Sequence, residues 1–537
     1  MSADWIAALP PWCYTNGRMD QTATKPRNDA KTFHRVLADH ARSQPENVFV
    51  HCIDQDKSLS YGALFLKERG LGANDRVLLL AENSVENLAV FAATLRYGAT
   101  LATVHVEMNQ AHLAEIVAAI APRIVLYQEG LGLEEVIEGA EGEAVPLGDW
   151  NADGGSTGLF AEIEKFSEED TIESCAGPDD FGVIFYTSGT VAKPKGVIQT
   201  HATAWYNYDA TADYLGIGPG DRVFDCRSYS WLSAQHMSFG APLVSGATCI
   251  MAKHFSRSRY FGWLKDYDIN VGFVVPTIVN MLLNQPVPMS ARDLPHLRFL
   301  TSSSAPLLEE QWRAFEGLYG IKLAQSAGSS EGGNSAAHRG ADRKIGTIGP
   351  ALKYQDIFVI DGEGNRLKQG ETGEIIFAGG RQQAYGYLMP DGSIERLPVD
   401  GHHSGDIGFI DADGHLHITG RVKELIIRGG MNIAPLEIDS VLVRHPAVAE
   451  AGTIGVPHPI YGEEVVAYVA CLDGLSPSTA EMLNHCRSAL PEAKMPKEII
   501  FLESLPKNPR GKLDRGALAE LWKRDHPPMT QEGLQRA

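Results

Sequence analysis

The residues 186–196, Tyr186-Thr187-Ser188-Gly189-Thr190-Val191-Ala192-Lys193-Pro194-Lys195-Gly196, put three hydroxyls, two glycines and two lysines on one loop. Backbone N–H groups, hydroxyl donors and positive charge in that density suit a polyphosphate. The spacing is not that of a Walker A loop, which needs Gly-x4-Gly-Lys-[Ser/Thr]. Near the other end of the chain, Gly511-Lys512 stands in a turn-like segment from which the lysine can project into a cleft. A third stretch, 297–307, reads as a strand running into a turn of small residues. Its Ser302-Ser303-Ser304-Ala305 carries only small side chains.

These stretches need a scaffold, and the pattern around them supplies one. A buried strand is expected at 181–185, just before the first loop. Upstream, strands at 76–81, 98–104 and 123–127 alternate with helices at 85–95 and 111–120, which predicts a parallel sheet covered by helices on both faces. An amphipathic helix is expected at 33–41. Residues 129–180 are rich in Gly, Glu and Asp and read as a variable excursion. Beyond the loop come a helix at 201–214 and strands at 221–224, 246–251 and 271–276. After about 350 the chain turns β-rich, at 357–360, 373–377 and 415–418, with Asp-Gly and Gly-Asn turns. From about 424 a separate unit is expected, with helices at 438–445 and 479–490 and strands at 451–455 and 464–469. The expected architecture is α/β. A large N-terminal domain (1–422) of parallel-type sheets, helices and a small β-barrel-like sheet precedes a small mobile α+β domain (423–537).

Composition narrows the function. At 537 residues the chain is too long for one core. The net charge of −20 argues against a nucleic-acid partner, since a phosphate backbone needs a basic face. Seven cysteines with no C-x-x-C pair give no zinc or redox motif and suit a reducing compartment. No signal peptide and no apolar run long enough for a membrane span is read, so a soluble, cytoplasmic protein is expected.

The order of residues in 186–196 resembles the phosphate-binding signature of adenylate-forming enzymes. That superfamily holds acyl-CoA synthetases, luciferases and peptide-synthetase adenylation domains. The resemblance covers nearly the whole chain and implies a role for each matching position. Thr187, Ser188, Gly189, Thr190, Lys193 and Lys195 would hold ATP phosphates, although Val191-Ala192 replaces the usual Thr-Gly. Ser304 and Ala305 would pass along the adenine, with Gln325, Ser326 and Ser330. Glu331, in a segment resembling Tyr-Gly-x-Thr-Glu, would hold Mg²⁺ near the phosphates. Asp406, in a segment resembling Thr-Gly-Asp, would take the two ribose hydroxyls, with Arg421 near ribose and phosphate and Asn432 also on the nucleotide. Lys512 would be the catalytic lysine and Lys423 the hinge. Arg428, Gly429 and Gly430 would line a CoA passage. Tyr229, Trp231, His236, Val275, Ser303, Ala327 and Gly328 would form the acyl pocket. There Trp231 replaces a usual histidine and Ala327 a usual tyrosine, and the set suggests a medium-sized, partly aromatic or alicyclic acid.

The implied reaction is activation of a carboxylic acid by ATP, with release of pyrophosphate, followed by transfer of the acyl group to the thiol of CoA. Partners would be small molecules, and the protein a monomer or homodimer. Rival readings are a ligase that loads a carrier protein, a luciferase-like oxygenase, and a catalytically silent homologue.

Overall fold

A computed structural model describes residues 40, 48–52, 57–60, 70–151, 155–163, 174–186, 195–340, 342–378, 380–398, 401–508 and 512–526. Apart from residue 40, the helix expected at 33–41 lies outside them. So do Thr187, Ser188, Gly189, Thr190 and Lys193.

Two eight-stranded sheets form the large domain. In the first, Thr100–Thr103, Arg76–Leu80, Ile124–Tyr127 and Glu143–Pro146 run parallel, and Phe181–Tyr186 joins them beside Thr100–Thr103. Apart from the edge strand Glu143–Pro146, their largely buried, mostly apolar runs are what a sheet covered on both faces requires. Gly196–Thr200 and then Gly386–Leu388 extend this sheet antiparallel. In the second sheet, Val48–Cys52, Thr248–Met251, Arg222–Asp225, Val271–Val274, Phe299–Ser302 and Leu323–Ser329 are parallel in that order. The helix Val85–Tyr97 touches strands of both sheets and is buried from Val85 to Leu95. Its start is capped by Ser84, which accepts from the Asn87 N–H. It stops at Gly98, where φ is 101° and a Cβ would lie 2.7 Å from Ser174 Oγ, so only glycine fits.

Two expectations need correcting. The excursion at 129–180 contains helices Glu134–Glu138 and Gly158–Ile163 and the strand Glu143–Pro146, which extends the first sheet. That strand is short and buries only Val145, so it leaves almost no apolar pattern to read. The strand expected at 271–276 ends at Val274, because Pro276 opens the helix Pro276–Asn284. A proline at the first helical position loses no hydrogen bond there.

Strands Ile357–Ile360, Gly373–Phe377, His402–Ile410 and Leu416–Arg421 make the small antiparallel sheet. A turn at Val422–Glu424 then leads into a five-stranded sheet built from residues after 425. Its central strand, Gly462–Cys471, is buried on both faces. Val465, Ala467 and Val469 pack with helices Pro435–Val443 and Thr479–Arg487, while Val466, Tyr468 and Ala470 pack with helix Arg515–Asp525. The ion pair of Arg444 Nε and Glu310 Oε1, at 2.7 Å, joins this small domain to the large one.

His338 is fully buried. Its Nδ1 accepts from the Gln325 N–H at 3.3 Å and its Nε2 lies 3.0 Å from Thr347 Oγ1, an arrangement open only to the neutral ring. Burial, helped by nearby His415, pulls its pKa down from 6.5 to about 4. A histidine with a depressed folded pKa contributes fully above its unfolded pKa, and that contribution is lost as pH falls from about 6.5 toward 4. Stability to urea should therefore drop by roughly 2 kcal/mol at pH 5 relative to pH 7 from this residue alone. The drop should shrink in His338→Gln; an equal drop in both proteins would sink the assignment.

Candidate functional site

The C-terminal ends of the parallel strands, where open α/β sheets bind ligands, carry most of the expected residues. Glu331 sits in the turn between Leu323–Ser329 and Gly333–Ala337, with the Gly332 N–H donating to Ser329 Oγ at 2.7 Å. The Ala384 N–H donates to the Glu331 carbonyl at 2.7 Å, which brings the edge of the first sheet against this turn of the second. Tyr387, one turn along that segment, donates its hydroxyl to Glu331 Oε1 at 2.8 Å. Burial first, and the Glu331 carboxylate second, push the Tyr387 pKa up, so the hydroxyl stays a donor. Lys195 Nζ lies 5.0 Å from the centre of the Tyr387 ring, within cation–π range. His402 Nε2 is 3.7 Å from Glu331 Oε2. Burial lowers the His402 pKa, while Glu331 and Asp406 both pull it up, so the two carboxylates act on one space. Neither Tyr387 nor His402 carries a sequence signal of its own; their pairing needs the two sheets to meet.

Asp406 and Arg421 face each other across strands His402–Ile410 and Leu416–Arg421. Arg421 Nε donates to Asp406 Oδ1 at 2.8 Å, and the Asp406 N–H is held by Ser404 Oγ at 3.0 Å. Burial raises the Asp406 pKa, and Arg421 and then Lys512 act against that rise. Lys512, from the end of the small domain, thus acts electrostatically on Asp406 of the large one. Its segment is shaped by Asn508: the Lys512 N–H donates to Asn508 Oδ1 at 3.1 Å and the Lys512 carbonyl accepts from the Asn508 N–H at 2.8 Å.

Ser303 is buried and Ser304 exposed just beyond strand Phe299–Ser302, with Ala305 next and Ser304 in a left-handed conformation at φ 73°. Val275 is half-buried at the end of Val271–Val274. Gln325 is buried and donates to the Leu307 carbonyl at 3.0 Å. Ser326, Ala327 and Gly328 continue its strand, and Ser330 follows in the Glu331 turn. Trp231 lies 5.8 Å, ring to ring, from His105. Two residues expected in the acyl pocket are buried side chains with partners of their own. Tyr229 is 1% exposed, its hydroxyl 3.1 Å from Cys249 Sγ, and His236 is 0% exposed, with Nε2 3.1 Å from Gln199 Oε1. The family resemblance suggested a pocket at this segment; Tyr229 precedes the helical turn Leu232–Ala234, and His236 is buried within the π-helical turn Gln235–Gly240. Buried Arg227 and half-buried Ser233, which the sequence did not single out, border the same region.

Gly429 and Gly430 form a two-residue hairpin loop between Ile426–Arg428 and Met431–Ile433, at φ 59° and 85°, the left-handed pair such a loop demands. Arg428 is turned into its own domain: its guanidinium bonds to Glu464 and to the Ala493 carbonyl and lies over the Tyr461 ring. Asn432 is exposed on the same hairpin. Lys423 is exposed in the turn Val422–Glu424 that links the domains.

A lone, partly exposed carboxylate such as Glu331 suits Mg²⁺, which takes one or two protein carboxylates and completes its shell with phosphate oxygens and water. Among the described residues no group of three or more His, Cys, Asp or Glu is placed to hold a metal by itself. No helix among them is long and apolar enough to cross a membrane.

Comparison with known proteins shows the family and the fold. The profile of the AMP-binding enzyme family matches residues 37–388, and that of the AMP-binding enzyme C-terminal domain matches residues 437–512. The sulfoacetate–CoA ligase of Cupriavidus necator is 32% identical over 510 residues, covering 90% of this chain and 96% of that protein. The long-chain-fatty-acid–CoA ligase FadD13 of Mycobacterium tuberculosis is 28% identical, covering 84% and 89%. The crystal structure of ATP-bound MatB from Rhodopseudomonas palustris superposes with a TM-score of 0.82 at 28% identity, covering 92% of this chain and all of that one. With both domains matched in order and the fold shared over nearly its whole length, the chain belongs to the AMP-binding enzyme family.

Proposed function

We propose that the protein is an ATP-dependent carboxylate–CoA ligase that works in two steps at one crevice. A carboxylate resists nucleophiles because it is negatively charged and oxide is a poor leaving group. Its own oxygen instead attacks the α-phosphorus of ATP, forming an acyl-adenylate and releasing pyrophosphate. The CoA thiol then attacks the acyl carbon and AMP leaves. Negative charge gathers on the α-phosphate in the first step, so catalysis is mainly positioning and charge stabilisation. Asp406 accepts from the ribose hydroxyls, Arg421 orients Asp406 and faces the ribose and phosphate, and Lys512 bridges the acid and the α-phosphate. Lys195, steadied over Tyr387, meets the outer phosphates, and Tyr387 holds the Glu331 carboxylate in place. Mg²⁺ bound with ATP at Glu331 would neutralise phosphate charge. The observation that carries this reading is the pairing of Asp406 with Arg421 at 2.8 Å, with Lys512 of the small domain acting electrostatically on the same carboxylate.

The second step needs another arrangement. The boundary near 422/423 is the pivot: Arg421 is bonded to Asp406 of the large domain, and Glu424 is paired at 2.9 Å with Arg515 of the small one. Rotation between them would withdraw Lys512 and bring in the Gly429-Gly430 hairpin to border the CoA passage. The seven dispersed cysteines, with no C-x-x-C pair, suit a reducing, cytoplasmic setting.

Lys512→Ala should lower acid-dependent ATP–pyrophosphate exchange by about a thousandfold, the size of loss typical when one transition-state donor is removed. CoA transfer from supplied acyl-adenylate should fall far less, and equal loss in the two half-reactions would remove Lys512 from its role. Asp406→Ala should weaken AMP binding by about 2 kcal/mol in calorimetry, as the loss of a charged hydrogen-bond partner does. Unchanged affinity would place the ribose elsewhere. Exchange without acyl-CoA formation, but with transfer to a holo-carrier protein, would change the acceptor and leave the first step standing.

A further inference from the structure

Behind the crevice lies a relay of polar groups that the adenylation chemistry above does not use. Asp225, at the end of strand Arg222–Asp225, is 0% exposed, and Arg227 is 4% exposed. Asp225 accepts from Arg227 Nε at 3.0 Å with each carboxylate oxygen, from Nη2 at 2.8 Å, from the Arg227 N–H at 2.9 Å and from the Ser238 hydroxyl. The other end of the guanidinium points away from the carboxylate. Its Nη1 donates to Ser233 Oγ at 3.2 Å and to Ser303 Oγ at 3.1 Å. Ser233 also accepts from exposed Ser304, at 3.3 Å.

A hydroxyl has one proton to give and lone pairs to receive. Ser233 and Ser303 both receive from Arg227, and among the described residues neither has an acceptor for its own proton. Both stand at the C-terminal edge of the second sheet, Ser303 directly after Phe299–Ser302 and beside exposed Ser304. Two donor hydroxyls, backed by the positive end of an oriented ion pair, call for a ligand group rich in acceptor oxygens and negative in charge. An alkyl chain in that place would strand both donors and the polarised guanidinium, which is costly in a buried site.

We propose that Ser233 and Ser303, polarised by Arg227, form a specificity subsite for the acid, and that the substrate is a short carboxylic acid bearing a second oxyanion, a carboxylate or a sulfonate. This rests on the ligase reading above, whose site it extends. Arg227 acts through the serines and is a positioning residue; the serine hydroxyls touch the distal oxyanion while the reacting carboxylate faces Lys512.

The test is pyrophosphate release with ATP and CoA, using sulfoacetate, malonate and succinate against propionate, butyrate, hexanoate and benzoate. The oxyanionic acids should win in kcat/KM by about tenfold or more, the range of one charged hydrogen bond. Ser303→Ala and Ser233→Ala should raise the KM of the oxyanionic acid by about tenfold while leaving the KM of ATP unchanged. Ser303→Thr, which keeps a hydroxyl, should restore much of the loss, and thermal melts should show all variants folded. Preference for an alkyl or aromatic acid would overturn the subsite and leave the ligase intact. So would serine variants that alter every acid alike. Release with no acid in the panel and no exchange of pyrophosphate would overturn the ligase reading itself, and the subsite with it.

Discussion

The crevice depends on a carboxylate that has no access to water. Asp225 ends a central strand with its charge buried, and a buried charge survives only if it is paired and its lone pairs are filled. Arg227 and Ser238 meet that demand, and in doing so fix the chain from 225 to 238 as one unit. Removing one partner of such a pair costs about 3–5 kcal/mol, chiefly because the other charge is left behind. The unit then has no freedom to drift, so Ser233, facing Ser303 through the same guanidinium, holds its position without a ligand. Gln235, within the same unit, donates to Thr103 Oγ1 at 2.7 Å and ties it to the opposite sheet.

A second knot keeps the two large sheets in register. Asn207, in the helix His201–Leu215, donates to the Gln382 carbonyl at 2.9 Å and accepts from the Asn334 N–H at 3.0 Å, while Gln382 donates to the Asn334 carbonyl at 3.1 Å. These buried amides bond to backbone groups, so their geometry is dictated by both strands and loop at once. The consequence is local: Tyr387 and Glu331, from different sheets, meet at 2.8 Å. The small domain is held to the large one by exposed pairs such as Arg444 with Glu310, and pairs of that kind contribute little. The proposed change of arrangement between the two steps would draw on this contrast between a strongly held site and a weakly held domain.

Much of this was legible in the chain before folding. Strand and helix order followed from apolar runs separated by turn residues, because a sheet buried on both faces leaves little choice of residue type. Asp406, Arg421, Glu331 and Lys512 could be proposed from the chain because each stands in a short segment that resembles a signature of the family. The strand Glu143–Pro146 was hidden, since an edge strand with one buried side chain carries no period to detect.

The rest was decided only by tertiary contact. How deeply an aromatic or a histidine is buried depends on partners far along the chain, as Tyr229 finds in Cys249 and His236 in Gln199. Tyr387, His402 and Arg227 gain their partners from residues far along the chain, so no local pattern marks them. The sequence by itself determined the elements and the charged groups at their ends, because propensity and burial act residue by residue. Tertiary structure decided which of those groups meet, because a hydrogen bond is made over about 3 Å and only packed sheets bring distant segments that close.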